Sequence, residues 1–140
     1  EPAARRRLQT ELALATALGE EQEKLIRRIE KVAGMSYRQA KRVAQTERTR
    51  VQSQARWQAG EDAKAAGVSV YNTWSTRMVN SRETHISLDG QQRMQGDAFV
   101  TSAGNALRYP GDPAAPAREV INCHCVLVPD VLAPGQTLGG

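Results

Sequence analysis

Both cysteines of this 140-residue chain flank one of its two histidines, in the run "EVINCHCVLVP" at positions 119–129. Three chemistries are open to Cys123-His124-Cys125: a metal site, a redox pair, or two buried thiols in a strand. Successive strand side chains point to opposite faces, so Cys123 and Cys125 share one face and His124 takes the other. Two thiols about 7 Å apart along a strand can share a metal if the backbone bends slightly. The other histidine is His85, with Asp89 four residues after it. The set His85, Cys123 and Cys125, completed by Asp89 or a water, is chemically acceptable for tetrahedral zinc. A bridge between Cys123 and Cys125 would close a very small, strained ring, so reduced thiols are expected.

Nucleophilic catalysis has less to build on. Cys123 or Cys125 with His85 as base lacks an acidic orienter at a recognisable spacing and a glycine-rich oxyanion loop. No P-loop or dinucleotide fingerprint occurs. A metal-free acid–base set of Glu47, Arg82 and His85, of the kind toxin nucleases use, is the remaining catalytic arrangement.

The elements that must position these residues fall into two halves. In the first, Leu8, Leu12, Ala15 and Leu18, then Leu25, Ile29 and Val32, recur at helical spacing, with Gly19 as a possible break and Gly34 as a stop. A second helix starts at "SYRQ", where Ser36 and Gln39 form the capping-box pattern, and runs to Gly67. Its stripe of Ala40, Val43, Ala44, Val51, Ala55 and Ala59 suits close packing of one helix on another, which predicts an antiparallel hairpin. Glu47 falls within that stripe, so it either snorkels at the edge or meets a buried cation. After Gly67 the pattern changes to short runs. "VSVYNTW" at 68–74 alternates as a strand, Asp89-Gly90 within 86–94 signals a hairpin, "LRYPGDPAAPA" at 107–117 is a proline-rich loop, and 120–129 reads as a strand ended by Pro129. The expected class is therefore α+β: a long N-terminal helical hairpin, then a small, mainly antiparallel sheet unit with long loops.

Charge is uneven. Residues 1–66 carry 14 basic and 9 acidic side chains, and 67–140 carry 5 and 6, so the formal +4 belongs to the first half. Arg38, Lys41, Arg42, Arg48, Arg50 and Arg56 lie mostly off the apolar stripe and make the exposed side of the second helix basic. Nucleic acid, an acidic protein surface or plain solvent are the candidate neighbours of that side. No apolar run approaches the roughly 18–20 residues that cross a bilayer, and no signal-peptide core is present, so a soluble protein is expected. The first residue is Glu rather than Met, which points to a segment of something longer.

The order "TERTR" (46–50), Trp74, "RETHISLDGQ" (82–91), Phe99 and "RYPGDPAAPAREVINCHC" (108–125) resembles the C-terminal domain of the phage Mu F-like minor head proteins, also called phage head morphogenesis proteins. The matching positions run from about residue 45 to 128: Thr46, Glu47, Trp74, Arg82, His85, Leu88, Asp89, Gly90, Gln91, Pro110, Gly111, Asp112, Pro113, Asn122, Cys123 and Cys125. The family usually has Arg between the two cysteines, where this chain has His124. The resemblance implies an N-terminal helical segment at 1–35, the head-morphogenesis domain at 36–130 and a flexible tail at 131–140. It also implies a buried Glu47–Arg82 ion pair, and a His85, Cys123, Cys125 and Asp89 cluster that holds a structural zinc. The implied function is that of a minor capsid protein in head assembly, near the portal and ejected with the DNA. The implied partners are portal and capsid proteins, with non-specific DNA contact through Arg38, Lys41, Arg42, Arg48 and Arg56. The implied location is inside the virion head, after synthesis in the bacterial host cytoplasm. The alternative it carries is a toxin-type, nuclease-like enzyme using His85 with Glu47 and Arg82, or a toxin-associated delivery module. Oligomeric state is left open by the sequence.

Overall fold

The computed structural model describes residues 6, 10, 11, 14, 21–76, 83–121 and 123–139. Leu8, Leu12, Ala15, Leu18, Gly19 and Arg82, on which some expectations rest, lie outside them. Helix α1 (Gln22–Ala33) ends at Gly34, whose left-handed φ of 65° lets its N–H reach the Glu30 carbonyl. Glycine adopts this conformation without a Cβ penalty. Helix α2 (Tyr37–Ala65) begins with the expected capping box: the Gln39 N–H donates to Ser36 Oγ, and the Ser36 N–H donates to Gln39 Oε1, both at 3.3 Å. Leu25, Ile26 and Ile29 of α1 bury against Ala40 and Ala44 of α2, and Met35 and Val43 pack at the edge. Val32, expected on the packing side, is 52% exposed.

The single apolar stripe expected along α2 does not persist. The buried positions are Ala40 and Ala44, then Thr49, Ser53, Trp57 and Gly60, while Ala55 and Ala59 are exposed. At 3.6 residues per turn the second set lies on roughly the opposite side of the helix from the first. The reason is that α2 serves two cores. Its first turns face α1, and its remainder faces the sheet.

Strand β1 (Val70–Ser75) is the centre of a three-stranded antiparallel sheet ordered β2–β1–β5, with β2 at Gln92–Met94 and β5 at Val126–Val131. Its alternation is as expected, with Val70, Asn72 and Trp74 buried. A second, two-stranded sheet pairs β3 (Phe99–Val100) with β4 (Ala106–Leu107). Two strand expectations are corrected. Residues 83–86 form a one-turn helix, α3 (Glu83–Ile86), so Asp89-Gly90 turns from a helix into β2 instead of joining two strands. The segment expected as one strand at 120–129 is divided: α4 (Ala117–Val120) precedes it, Cys123-His124-Cys125 has no regular structure, and pairing starts at Val126. Pro129 lies within β5, opposite Asn72. This is tolerated because β5 is an edge strand.

The second core gathers Trp57, Trp74, Leu88, Phe99, Leu107, Tyr109, Cys123, Cys125 and Leu127. Its strands are two to six residues long, so much of its chain is loop whose polar groups need partners. Gln95 supplies several: its Nε2 donates to the Trp57 carbonyl (3.1 Å) and to Glu61 (3.0 Å), and its Oε1 accepts from Asn72 (2.9 Å). The proline-rich loop is closed by Asp112, which accepts from Arg108 N, Nε and Nη2 and from Ala114 N at 2.9–3.0 Å. At Gly111, with φ of 81°, a Cβ would stand 3.1 Å from the Arg50 backbone, so glycine lets this loop lie on α2.

Candidate metal centre

Three of the residues singled out from the sequence meet inside the second core. His85 is presented by α3, and Cys123 and Cys125 by the extended segment between α4 and β5. Both sulfurs lie 3.6 Å from the same ring nitrogen, His85 Nδ1. All three residues are buried, and the three ligand atoms lie within 4.8 Å of one another. The two-residue spacing does what it suggested, since both thiols face His85; His124 lines a cleft of about 430 Å³ with Lys41, Gln45, Arg48 and Cys125.

The segment is fixed to α2. The Cys123 carbonyl accepts from Thr49 Oγ1 and, at 3.3 Å, from Gln45 Nε2. Arg56 Nη1 donates to the Leu127 carbonyl at 3.1 Å, two residues past Cys125. The ring of Trp74 stands edge-on to His85, centroids 5.5 Å apart. Both thiol positions and the imidazole plane are therefore set by neighbours.

The donor set fits a metal. Tetrahedral zinc with bonds of about 2.3 Å to sulfur and about 2.0 Å to nitrogen separates S from N by about 3.5 Å, close to the 3.6 Å found here. A metal also requires thiolates. A hydrogen bond from Cys125 brings the Cys123 thiol down to about 5; burial opposes this and His85 assists it.

Glu119 was not among the residues singled out. It is 2% exposed, and its Oε1 lies 3.4 Å from His85 Nε2, on the side of the ring away from the sulfurs. Thr84 Oγ1 donates to Oε1 at 2.9 Å, while Thr101 Oγ1 (2.6 Å) and Asn105 Nδ2 (3.1 Å) donate to Oε2. Burial alone would raise its pKa, but these donors and the imidazole hold the carboxyl below its ordinary range. The sequence signal was a glutamate four residues before Cys123 in the "REVINCHC" run. Its relevance depends on α4 turning it inward.

Other expected site residues lie elsewhere. Asp89 is exposed, accepts from the Thr76 N–H at 2.9 Å and is not brought to the cluster. It closes the turn after α3 instead. Glu47 pairs with Arg50, one turn along the same helix, at 2.6 Å and 2.9 Å. Its expected partner Arg82 is outside the described residues. Arg38, Lys41 and Arg42 are exposed on α2, Arg48 is half-buried beside the cleft, and Arg56 is exposed.

Comparison with known proteins gives three results. Residues 6–128 match the family described as Phage Mu protein F like protein. The chain is 34% identical over 94 residues to the NAD(+)–arginine ADP-ribosyltransferase EFV of Enterococcus faecalis, a match covering 66% of this chain and 19% of that protein. It is 42% identical over 53 residues to the uncharacterized protein YqbB of Bacillus subtilis, covering 37% of this chain and 17% of that protein. The chain thus spans less than a fifth of the length of the curated relatives it matches. No solved structure matches it. With a match that takes in both long helices and the His85–Cys123–Cys125 cluster, the chain belongs to the phage Mu protein F-like family.

Proposed function

We propose that this chain acts as a minor head protein in phage head assembly, from inside the shell, close to the portal, and leaves with the DNA. The family match over residues 6–128 carries this reading. No helix among the described residues is long and apolar enough to cross a membrane. Exposed Arg38, Lys41 and Arg42 support weak, salt-dependent contact with packaged DNA, since phosphate neutralisation by cations carries no sequence information. The cluster of His85, Cys123 and Cys125 would hold a structural zinc, with a water as fourth ligand, stapling the loop-rich sheet unit. Cryo-EM of the parent particle should find the chain inside the head at the portal vertex. Its absence from virions, or density on the outer surface, would sink the assignment.

The match to part of an ADP-ribosyltransferase favours a second reading, an enzyme domain that uses His85. Expression in a bacterial cytoplasm separates the two. Toxicity abolished by His85→Ala in a folded protein would favour an enzyme, and harmless high-level expression would favour the head protein.

A further inference from the structure

We infer that Glu119 is the positioning residue of the His85–Cys123–Cys125 metal site, holding the imidazole in the tautomer that presents its Nδ1 lone pair to the two sulfurs. The inference rests on reading the cluster as a metal site and adds a residue with no ligand atom in it. A neutral imidazole carries one N–H and one lone pair, and only the lone pair can bind a cation. Both sulfurs face Nδ1, so with a cation held among these three atoms the imidazole proton has to reside on Nε2. The atom opposite Nε2 is Glu119 Oε1 at 3.4 Å, an acceptor. Metal-binding histidines generally donate their second N–H to such a carboxylate, which orients the ring and raises its basicity.

Three features make this carboxylate suited to the task. With His85 1% and Glu119 2% exposed, bulk water scarcely competes for Nε2. Thr84 from α3, and Thr101 and Asn105 from the β3–β4 connection, approach the carboxylate as donors, so its position is fixed from two segments. Trp74 fixes the ring plane against which Oε1 is aimed. The same contacts join α3, α4 and the β3–β4 connection to the metal site through one side chain.

The test is cobalt(II) titration of the purified, reduced protein, followed by thiolate-to-metal and d–d absorption. Glu119→Gln keeps the shape and offers a weaker acceptor, and its dissociation constant should rise about 10- to 100-fold. Leu25→Ala, which loosens the distant helical core, should leave the constant unchanged; an equal loss there would assign the effect to general destabilisation and overturn the inference. Unchanged affinity in Glu119→Gln overturns it as well. If the wild type binds no cobalt, the metal reading itself fails. Should Glu119→Gln not fold, the tautomer of His85 in the zinc-loaded wild type decides. Long-range proton–nitrogen NMR, with His124→Gln for assignment, should find the proton on Nε2; a proton on Nδ1 would reject the role.

Discussion

The core between α1 and α2 and the core beneath the sheet solve the same problem by different means. The first joins Leu25, Ile26, Ile29, Ala40 and Ala44, with apolar side chains from two regular helices. Backbone groups there are satisfied within the helices, so burial of apolar surface suffices. The second contains both tryptophans and the only phenylalanine, yet it is threaded with buried polar side chains: Thr49, Asn72, His85, Gln95, Thr101, Asp112 and Glu119. Its chain is mostly loop, and each of these side chains bonds backbone or another side chain, all but Asp112 reaching a distant segment. The difference teaches that where secondary structure is short, tertiary polar contacts take over the task of satisfying the backbone and fixing geometry. The His85–Cys123–Cys125 cluster lies in the part built this way.

The contrast is broken most severely through Trp74, which is fully buried and stacks edge-on to both His85 and Phe99. Trp74→Ala should cost about 3–5 kcal/mol, the usual range for deleting a buried aromatic side chain. Denaturant unfolding measures it. A cost under about 1 kcal/mol would mean that the second core does not depend on apolar packing, beyond what its polar contacts supply.

A smaller effect tests the polar side of the contrast, and its sign decides. Glycine in a helix interior is normally worse than alanine by about 1 kcal/mol. A Cβ at Gly60 would stand 2.3 Å from Gln95 Oε1 and 2.7 Å from its Cδ. Gln95 cannot retreat without releasing Asn72, Glu61 and the Trp57 carbonyl. Gly60→Ala should therefore destabilise by about 1–3 kcal/mol. In a Gln95→Ala background the same substitution should become neutral or stabilising. Two additive changes in that cycle would show that Gln95 is not the obstacle.

The smallest expected effect sharpens the comparison by pH. Burial pushes the Asp112 carboxyl up, but hydrogen bonds from Arg108 and Ala114 and the guanidinium charge prevail, and it lies below its ordinary value. A depressed carboxyl contributes stability that is complete above the unfolded pKa of about 3.9 and is lost as pH falls through the folded value. The melting temperature of wild type should exceed that of Asp112→Asn at neutral pH, with the gap closing under acid conditions below about pH 4. A gap that persists in acid would remove the ion pair from the account of this loop. Among the described residues the helical core holds no buried carboxylate, and it should show no parallel change with Leu25→Ala.

Much of this molecule was fixed by local sequence. The capping box at Ser36, the stop at Gly34, the alternation of 70–74 and the loop at 107–117 each depend on residues within a few positions of one another, and each formed as the pattern specified. The pairing of Cys123 and Cys125 on one side was local too, since two residues of extended chain bring side chains back to the same face. What only the tertiary structure decided were matters of distance along the chain. The face of α2 changed midway because two different cores press on it. His85 faces the thiols from a helical turn, where the sequence placed it just before a hairpin strand. Glu119 rather than Asp89 came to the imidazole, because the one-turn α4 points it inward while Asp89 is spent on capping the Thr76 amide. A carboxylate's spacing from a histidine in sequence says little about which of its neighbours it will reach, because direction is set by packing against elements that may lie dozens of residues away.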